Sequence, residues 1–277
     1  MNVVGIDIGG TKTSIGIIDL KKGIVNCKII IPSKKFKNDK KNLDLIISNT
    51  IKFIGNKKIK HIGIGVPELI NNKGIIKGDY NFNWNNKNLA NYFPKKFKVQ
   101  IDSDVRCHLR AEKFYGHAKK FKNFIYINIG TGLSYSHFKN NQIYSGANGY
   151  AIHFASSKIT LYNPTKNKKI SLVPEDLYSG KAIILLLKKY QNQKKQNLIL
   201  NNIADSLGSL IGNLINSVDP GVIVMGGGVV INNLNFRNLL IKYSRNYIFA
   251  QDAKKIKILI SKLKDDTGLL GAAAIFK

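Results

Sequence analysis

Short apolar runs along the chain end repeatedly on glycine. Residues 3–8 form such a run, broken by one carboxylate at Asp7 and running straight into Gly9-Gly10, which predicts a buried strand leading into a tight turn. Residues 13–20 predict a second strand, Lys21-Lys22-Gly23 a turn, and 24–31 a third strand. The same order returns downstream. Residues 124–129 are an apolar strand feeding Gly130-Thr131-Gly132, followed by strand 133–138, a turn at Lys139-Asn140-Asn141 and a short strand 142–144. Between these strands the spacing changes to that of helices. Leu43, Leu45, Ile46, Ile47 and Ile51 mark a helix over 43–53, and further helices are expected at 105–119, 175–189, 203–218, from Leu234 onward, and at 267–276. Strands are expected at 59–66, 99–102 and 222–225, the last opening onto Gly226-Gly227-Gly228. Residues 81–91, with the single tryptophan Trp84, predict a long loop, and 163–171 with 190–197 predict polar loop or helix-end material.

One strand–turn–strand pattern used twice predicts an α/β chain of two lobes, 1–112 and 113–277, each aiming a glycine hairpin at a shared cleft. The final helix is expected to pack back toward the first lobe. No Pro/Ser-rich linker separates the lobes, so they are expected to be packed together.

The glycine turns carry the first hint of chemistry. Glycines leave backbone N–H groups open to an anion, Lys12 adds a positive charge, Thr11 and Thr13 add hydroxyls, and Asp7 is placed to hold Mg²⁺ through water. A Mg-nucleotide suits such a set, and so does a plain β-hairpin whose Asp caps the turn. Composition narrows the setting. The 277 residues carry a net charge of +28, but only four of the 44 basic residues are Arg and the lysines run the whole length. With Lys, Asn and Ile all abundant, an AT-rich coding bias explains that charge better than a dedicated nucleic-acid face, and no specific nucleic-acid partner is expected. The charge still favours anionic substrates. No apolar run of membrane-spanning length and no leader are expected, and two scattered cysteines, Cys27 and Cys107, fit a cytoplasmic chain.

Six segments in order, Asp7-Ile-Gly-Gly-Thr-Lys12, Ser103-Asp-Val-Arg106, Ile129-Gly-Thr-Gly132, Gly146-Ala-Asn-Gly149, Asp219-Pro-Gly-Val-Ile-Val-Met-Gly-Gly-Gly228 and Gly268-Leu-Leu-Gly-Ala-Ala273, resemble the motifs of the ROK family of sugar kinases and sugar-responsive repressors. The resemblance covers the chain end to end. It implies the two-lobed actin-like ATPase (ribonuclease H-like) fold, with duplicated mixed sheets flanked by helices, and ATP with Mg²⁺ as cofactors. Asp7 would hold Mg²⁺ through water, with Gly9, Gly10, Thr11 and Lys12 forming the first phosphate turn. Gly130, Thr131 and Gly132 would form the second, and Gly226, Gly227 and Gly228 the adenosine segment. Asp104 corresponds to the family's general base, which takes a proton from the attacking sugar hydroxyl. From spacing alone, Asp102, Ser103 and Asp104 before an amphipathic run also read as a helix cap. A homodimer is implied by analogy only.

Departures from the family pattern fall on the sugar side. Ser103 stands where an Asn usually binds sugar. The family's Glu and His after the Gly146–Gly149 motif fall on His153 and Ser156, and its Cys-rich zinc loop has no counterpart, so no zinc site is expected. Neutral imidazole offers one donor and one acceptor where a carboxylate offers two acceptors. A different polyol, a modified sugar, or (with Arg106 nearby) an anionic substrate is therefore expected; alternatively, His153 is a partly buried histidine with no ligand. Glu68 could reach the cleft or be a solvated loop residue. Asn83 and Asn148 complete the candidate substrate contacts. The implied activity is ATP-dependent phosphorylation of a sugar or sugar-like hydroxyl, the alternative being a non-catalytic sugar sensor. A repressor would need a helix-turn-helix ahead of the first strand, where only Met1 and Asn2 stand.

Overall fold

The computed structural model describes residues 1–277, which divide into two compact units. The first comprises residues 1–120, 142–151 and 262–277, and the second 121–141 and 152–261. The boundary therefore differs from the single cut expected after residue 112. The segment 142–151 and the C-terminal helix both belong with the N-terminal unit.

In the first unit β1 (Asn2–Ile8), β2 (Lys12–Asp19) and β3 (Ile24–Pro32) form an antiparallel meander, with β4 (His61–Val66) and β5 (Lys98–Ser103) parallel to β1, in the order β3-β2-β1-β4-β5. Strand alternation covers this sheet on both faces. Val4, Ile6 and Ile8 pack into a cluster with Leu43, Ile46 and Ile54 of α1 (Asp39–Ile54) and with Phe82 and Trp84. Val3 and Ile18 pack into another cluster, with Ala111 of α2 (Asp104–Phe114) and Leu269 and Leu270 of α8 (Thr267–Ala273). Glycine makes the second face possible. A Cβ on Gly63 would lie 1.8 Å from the Ala272 carbonyl oxygen, and one on Gly271 would lie 1.8 Å from that of Cys107. α1 starts four residues before its apolar spacing begins, because Asn38 caps it through the N–H groups of Lys40 and Lys41.

The second unit repeats the plan. β6 (Phe124–Ile129) and β7 (Leu133–Lys139) precede β11 (Val222–Gly226) and β12 (Lys257–Ile260); the sheet order is β12-β11-β6-β7-β8, its last strand β8 (Gln142–Tyr144) being the start of the 142–151 segment. Ile125, Ile127, Ile129, Ile223 and Met225 pack against α5 (Gln193–Val218) and α7 (Leu234–Asn246), with Ile203, Leu207, Ile211, Phe236 and Leu240 in the cluster.

Several elements correct the sequence reading. The polar stretch 163–171 joins a hairpin, β9 (Ile159–Asn163) with β10 (Lys168–Leu172), which has only one partly buried residue at each outer end and so shows no apolar alternation. The expected helix 175–189 is two, α3 (Pro174–Tyr178) and α4 (Gly180–Leu187), divided where Ser179 turns extended and caps the second. α6 (Gly228–Asn232) is a short turn of helix after β11. α5 begins at Gln193, inside the expected loop. At 26 residues it is long and apolar enough, by length and composition, to cross a membrane, against the expectation of no such stretch. Its buried stripe from Ile203 to Ile215 lies in the core of its unit, which is how a core helix passes the same test.

Candidate active site

β1 delivers Asp7 opposite Ser14 of β2 and Gly65 of β4. Alternation turns Ile6 and Ile8 into the α1-side core and Asp7 to the other face, where α8 arrives. A Cβ on Gly268 would lie 2.2 Å from the Asp7 carboxyl group, so only glycine lets the helix sit there. Burial pushes the Asp7 carboxyl above its ordinary range, and His108 and Lys12 pull it back. The turn itself is closed by backbone: the Gly9 N–H donates to the Lys12 carbonyl at 2.9 Å. Asp7 is therefore not needed as its cap. Gly10, Thr11 and Lys12 are exposed, and the Ser33 N–H fixes the turn by donating to the Thr11 carbonyl at 2.9 Å.

At the junction of β5 and α2, Ser103 is the N-cap yet makes no side-chain cap bond. Its hydroxyl is fully buried without a hydrogen-bond partner. Asp104 opens the helix and accepts from its neighbour's amide, the Val105 N–H, at 2.6 Å. Burial pushes its carboxyl up to about 6; His108 one turn along lowers it, Asp7 and Glu68 raise it, and the Val105 amide lowers it. A carboxyl poised near neutrality suits a general base better than a strongly acidic cap does.

Asp102 is committed elsewhere. Burial opposes its charge, but Arg110 and Arg106 more than offset that and hold the carboxyl below its ordinary range, with both guanidinium contacts at 2.5 Å. Arg106 also donates to the carbonyls of Gly149 at 2.7 Å and Ile70 at 2.9 Å. All three arms of this buried guanidinium are thus used internally, which overturns its expected role toward an anionic substrate. It ties the Gly146–Gly149 segment to the β5–α2 junction, where Asp104 lies.

Glu68 is 3% exposed, which excludes a solvated loop residue. Its oxygens accept the N–H groups of Tyr80 at 3.1 Å, Asn81 at 2.6 Å and Phe82 at 3.0 Å. It anchors the loop that follows Gly78, and the ring of Phe82 stacks on Trp84 with centroids 4.1 Å apart. Asn83 is exposed, its amide donating to Asp39 at 2.7 Å, and Asn148 is exposed.

In the second unit, β6 feeds Gly130-Thr131-Gly132, and the Gly130 carbonyl accepts the Gly180 N–H at the start of α4 at 2.8 Å. A Cβ on Gly227 would lie 2.4 Å from the Ile129 carbonyl and one on Gly226 1.8 Å from the Tyr126 hydroxyl. Those two glycines are demanded by packing, whereas a Cβ on exposed Gly228 would meet only an ordinary contact, 3.7 Å from the Asn232 side chain. The unit thus brings the expected second phosphate turn and adenosine segment together. His153, exposed, contacts the Ser156 hydroxyl through Nδ1 at 3.0 Å, and that hydroxyl donates to Glu175 at 2.5 Å. Desolvation lowers the His153 pKa and Glu175 raises it, with a net lowering. The other Glu175 oxygen accepts the Leu133 N–H at 2.7 Å, at the end of the glycine turn.

Sequence reasoning gave Glu175 no role beyond helix 175–189 and did not single out His108. Scarcity was the available signal for the first: the chain holds only 16 acidic residues, so each carboxylate merits inspection. Helical spacing was the signal for the second, four residues after Asp104.

The residues present fit a Mg-nucleotide. Asp7 is a half-buried carboxylate whose desolvated charge a cation would stabilise, its oxygens suit Mg²⁺ through water, and Gly10 to Lys12 expose backbone and cationic donors beside it.

The model of the ROK family matches residues 3–157 and 157–277. A glucokinase of Thermotoga maritima is 22% identical over 100% of this chain and 98% of its own. A xylose repressor of Caldicellulosiruptor bescii is 24% identical over 79% of this chain and 63% of its own. Among solved structures, a ROK family glucokinase from Streptomyces griseus, in complex with glucose and AMPPNP, superposes with a TM-score of 0.84 at 19% identity, covering 99% of each chain.

Proposed function

The chain belongs to the ROK family, and on that premise we propose that it is an ATP-dependent kinase for a hydroxyl of a sugar or sugar-like molecule, with Asp104 as the general base. The observation that carries this reading is the Asp104 carboxyl itself, half-buried at the start of α2 and pushed by desolvation up to about 6, in the same unit as the Gly9–Lys12 turn and Asp7.

Asp104 accepts the proton of the attacking hydroxyl, and its raised basicity makes it a better acceptor at neutral pH than an ordinary aspartate. Lys12, with the backbone of Gly9, Gly10 and Thr11, binds and orients phosphate oxygens, as does the Gly130–Gly132 turn of the second unit. Gly228, with Gly226 and Gly227 behind it, receives the adenosine. Asp7 would hold Mg²⁺ through water, and the ion when bound would supply charge neutralisation for the transferred phosphoryl group. Ser103, with an uncommitted buried hydroxyl, contacts the acceptor sugar together with Asn83, Asn148 and His153. Glu68 acts on that sugar through the loop it clasps. The relatives that are kinases and the nucleotide analogue in the S. griseus structure support ATP as donor. A cytoplasmic setting and a homodimer complete the reading.

The similarity to xylose repressors favours one second reading, a sugar-binding sensor without catalysis. One experiment separates the two: Mg-ATP consumption against hexoses, amino sugars, polyols and sugar acids, with Asp104→Ala alongside. Turnover with one acceptor, abolished in the variant, is the expected outcome. Sugar binding by calorimetry without turnover on any acceptor would leave the sensor.

A further inference from the structure

The residues following β3 read Ser33-Lys-Lys-Phe-Lys-Asn-Asp-Lys-Lys41, five lysines against one acidic residue in nine positions. Coding bias explains lysines scattered along a surface. It does not explain where this run is fastened. Its first residue is bound to the phosphate turn twice, by the Ser33 N–H to the Thr11 carbonyl at 2.9 Å and by the buried Ser33 and Thr13 hydroxyls at 2.7 Å. Its far end is bound to the loop that Glu68 clasps, where the Asp39 carboxylate accepts the Asn83 N–H at 2.7 Å and the Asp39 carbonyl accepts the Trp84 indole N–H at 3.0 Å. Lys34 lies over the Phe82 ring of the same loop, 5.0 Å from its centroid. The run thus links the phosphate turn with the Asn81–Trp84 loop inside one unit.

Its charge is uncompensated. Lys34, Lys35, Lys37, Lys40 and Lys41 are all exposed and none takes part in an ion pair. The one carboxylate among them, Asp39, is turned onto Asn83 and Asn42. Lys40 and Lys41 also stand in the first turn of α1, where positive charge opposes the helix dipole. Like charges gathered within about a Debye length, roughly 8–10 Å, repel one another unless an anion joins them. Lysine ammoniums are mobile point charges suited to phosphate.

We propose that residues 33–41 form an anion-binding strap for the acceptor, which carries a phosphate group of its own besides the hydroxyl that is phosphorylated. The inference rests on the kinase reading above and narrows its substrate class from sugars to sugar phosphates. The strap recognises the phosphate already present, and Asp104 acts on the free hydroxyl.

The test compares three proteins: wild type, the strap variant Lys34→Gln/Lys35→Gln/Lys37→Gln, and a control of equal charge loss in the β9–β10 hairpin, Lys166→Gln/Lys168→Gln/Lys169→Gln. Each is assayed at saturating Mg-ATP with neutral hexoses, hexuronates and hexose monophosphates, and separately with inorganic polyphosphate as donor to a neutral hexose. The expected result is a kcat/KM for a hexose monophosphate that exceeds that for neutral hexoses in wild type and falls at least tenfold in the strap variant. The control and any neutral-hexose activity should change less than twofold. Equal activity of strap and control variants on hexose monophosphates overturns the proposal. So does a strap-dependent activity seen only with polyphosphate, which would assign the lysines to the donor, or only with hexuronates. Should no arm turn over, the kinase reading fails, and calorimetric titration with a hexose monophosphate judges the strap alone: tenfold weaker binding in the strap variant than in the control sustains it, and equal binding overturns it.

Discussion

The two glycine turns are built on one plan and differ in charge. Each follows the first strand of an antiparallel meander, and each sheet continues with two parallel strands in the same relative order. Asp7-Ile8-Gly9 in the first unit corresponds to Asn128-Ile129-Gly130 in the second, and the cross-strand partner is a serine both times, Ser14 and Ser134. One position thus holds a carboxylate in one unit and a neutral amide in the other. Around the first turn stand Asp104, His108, Lys12 and the lysine run; beside the second stands Glu175, which binds the end of the turn. Duplication supplied two backbone cradles. On the proposed kinase reading, side chains would place the metal and the proton transfer in one of them and leave the other to backbone donors.

The widest gap between the units comes from Asp104. Asp104→Ala should lower kcat by about 10²–10⁴-fold, as measured by coupled ATP consumption. Removing it should also strengthen the fold. A folded-state pKa raised from 3.8 to about 6 means that the ionised carboxylate costs native stability at pH 7, on the order of 3 kcal/mol, a cost relieved as the pH falls through about 6 toward the unfolded value. Asp104→Asn should therefore raise the unfolding midpoint in urea at pH 7.5 and leave it nearly unchanged at pH 4. A midpoint that drops at pH 7.5 would contradict a carboxylate whose charge desolvation disfavours.

Exchanging the corresponding residues breaks the comparison directly. Asp7→Asn gives the first turn the chemistry of the second and should reduce kcat/KM for Mg-ATP by about a hundredfold, with a steeper Mg²⁺ requirement. Asn128→Asp places a second negative charge near the nucleotide phosphates and should raise the KM for ATP by about tenfold while sparing kcat. Glu175→Ala leaves the Leu133 N–H without its acceptor and should cost about 1–3 kcal/mol of stability, whereas Glu175→Gln keeps an acceptor and should cost less.

The smallest effect is a shift. If Asp104 must be ionised to accept a proton, kcat/KM should rise with pH through about 6 and level off above it. His108 lowers that pKa by its charge, so His108→Gln should move the inflection upward by a fraction of a unit without changing the plateau. A downward shift would show that His108 acts on Asp104 in some other way.

β1, β6 and β11 were legible because their apolar runs end on glycine, a pattern set by local chemistry. Asp7 and both turns were singled out from the same segments, and Asp104 from Ser103-Asp-Val-Arg106. What escaped was decided by contacts far apart in the chain. Glu175 meets Leu133 from 42 residues away and Arg106 meets Gly149 from 43 away, and neither spacing leaves a periodic trace. The β9–β10 hairpin escaped for the opposite reason: it is held by its own ladder, with one face never buried, so polar and apolar positions do not alternate. Arg106 was misread as available because sequence shows a charge and conceals the three acceptors that use it.

The packing of α8 has a consequence for the order of events during synthesis. The helix seals one face of the first sheet through Gly5, Gly63, Gly268 and Gly271, yet it lies about 260 residues downstream of β1. The second unit is complete once Ser261 has left the ribosome, whereas the first still lacks its cover. The half of the molecule that emerges first is finished last. Until residues 262–277 arrive, the apolar face under α8 and the Asp7 carboxylate stay open to water, so a nascent chain has no closed face beside the Gly9–Lys12 turn and offers apolar surface to chaperones for most of its translation.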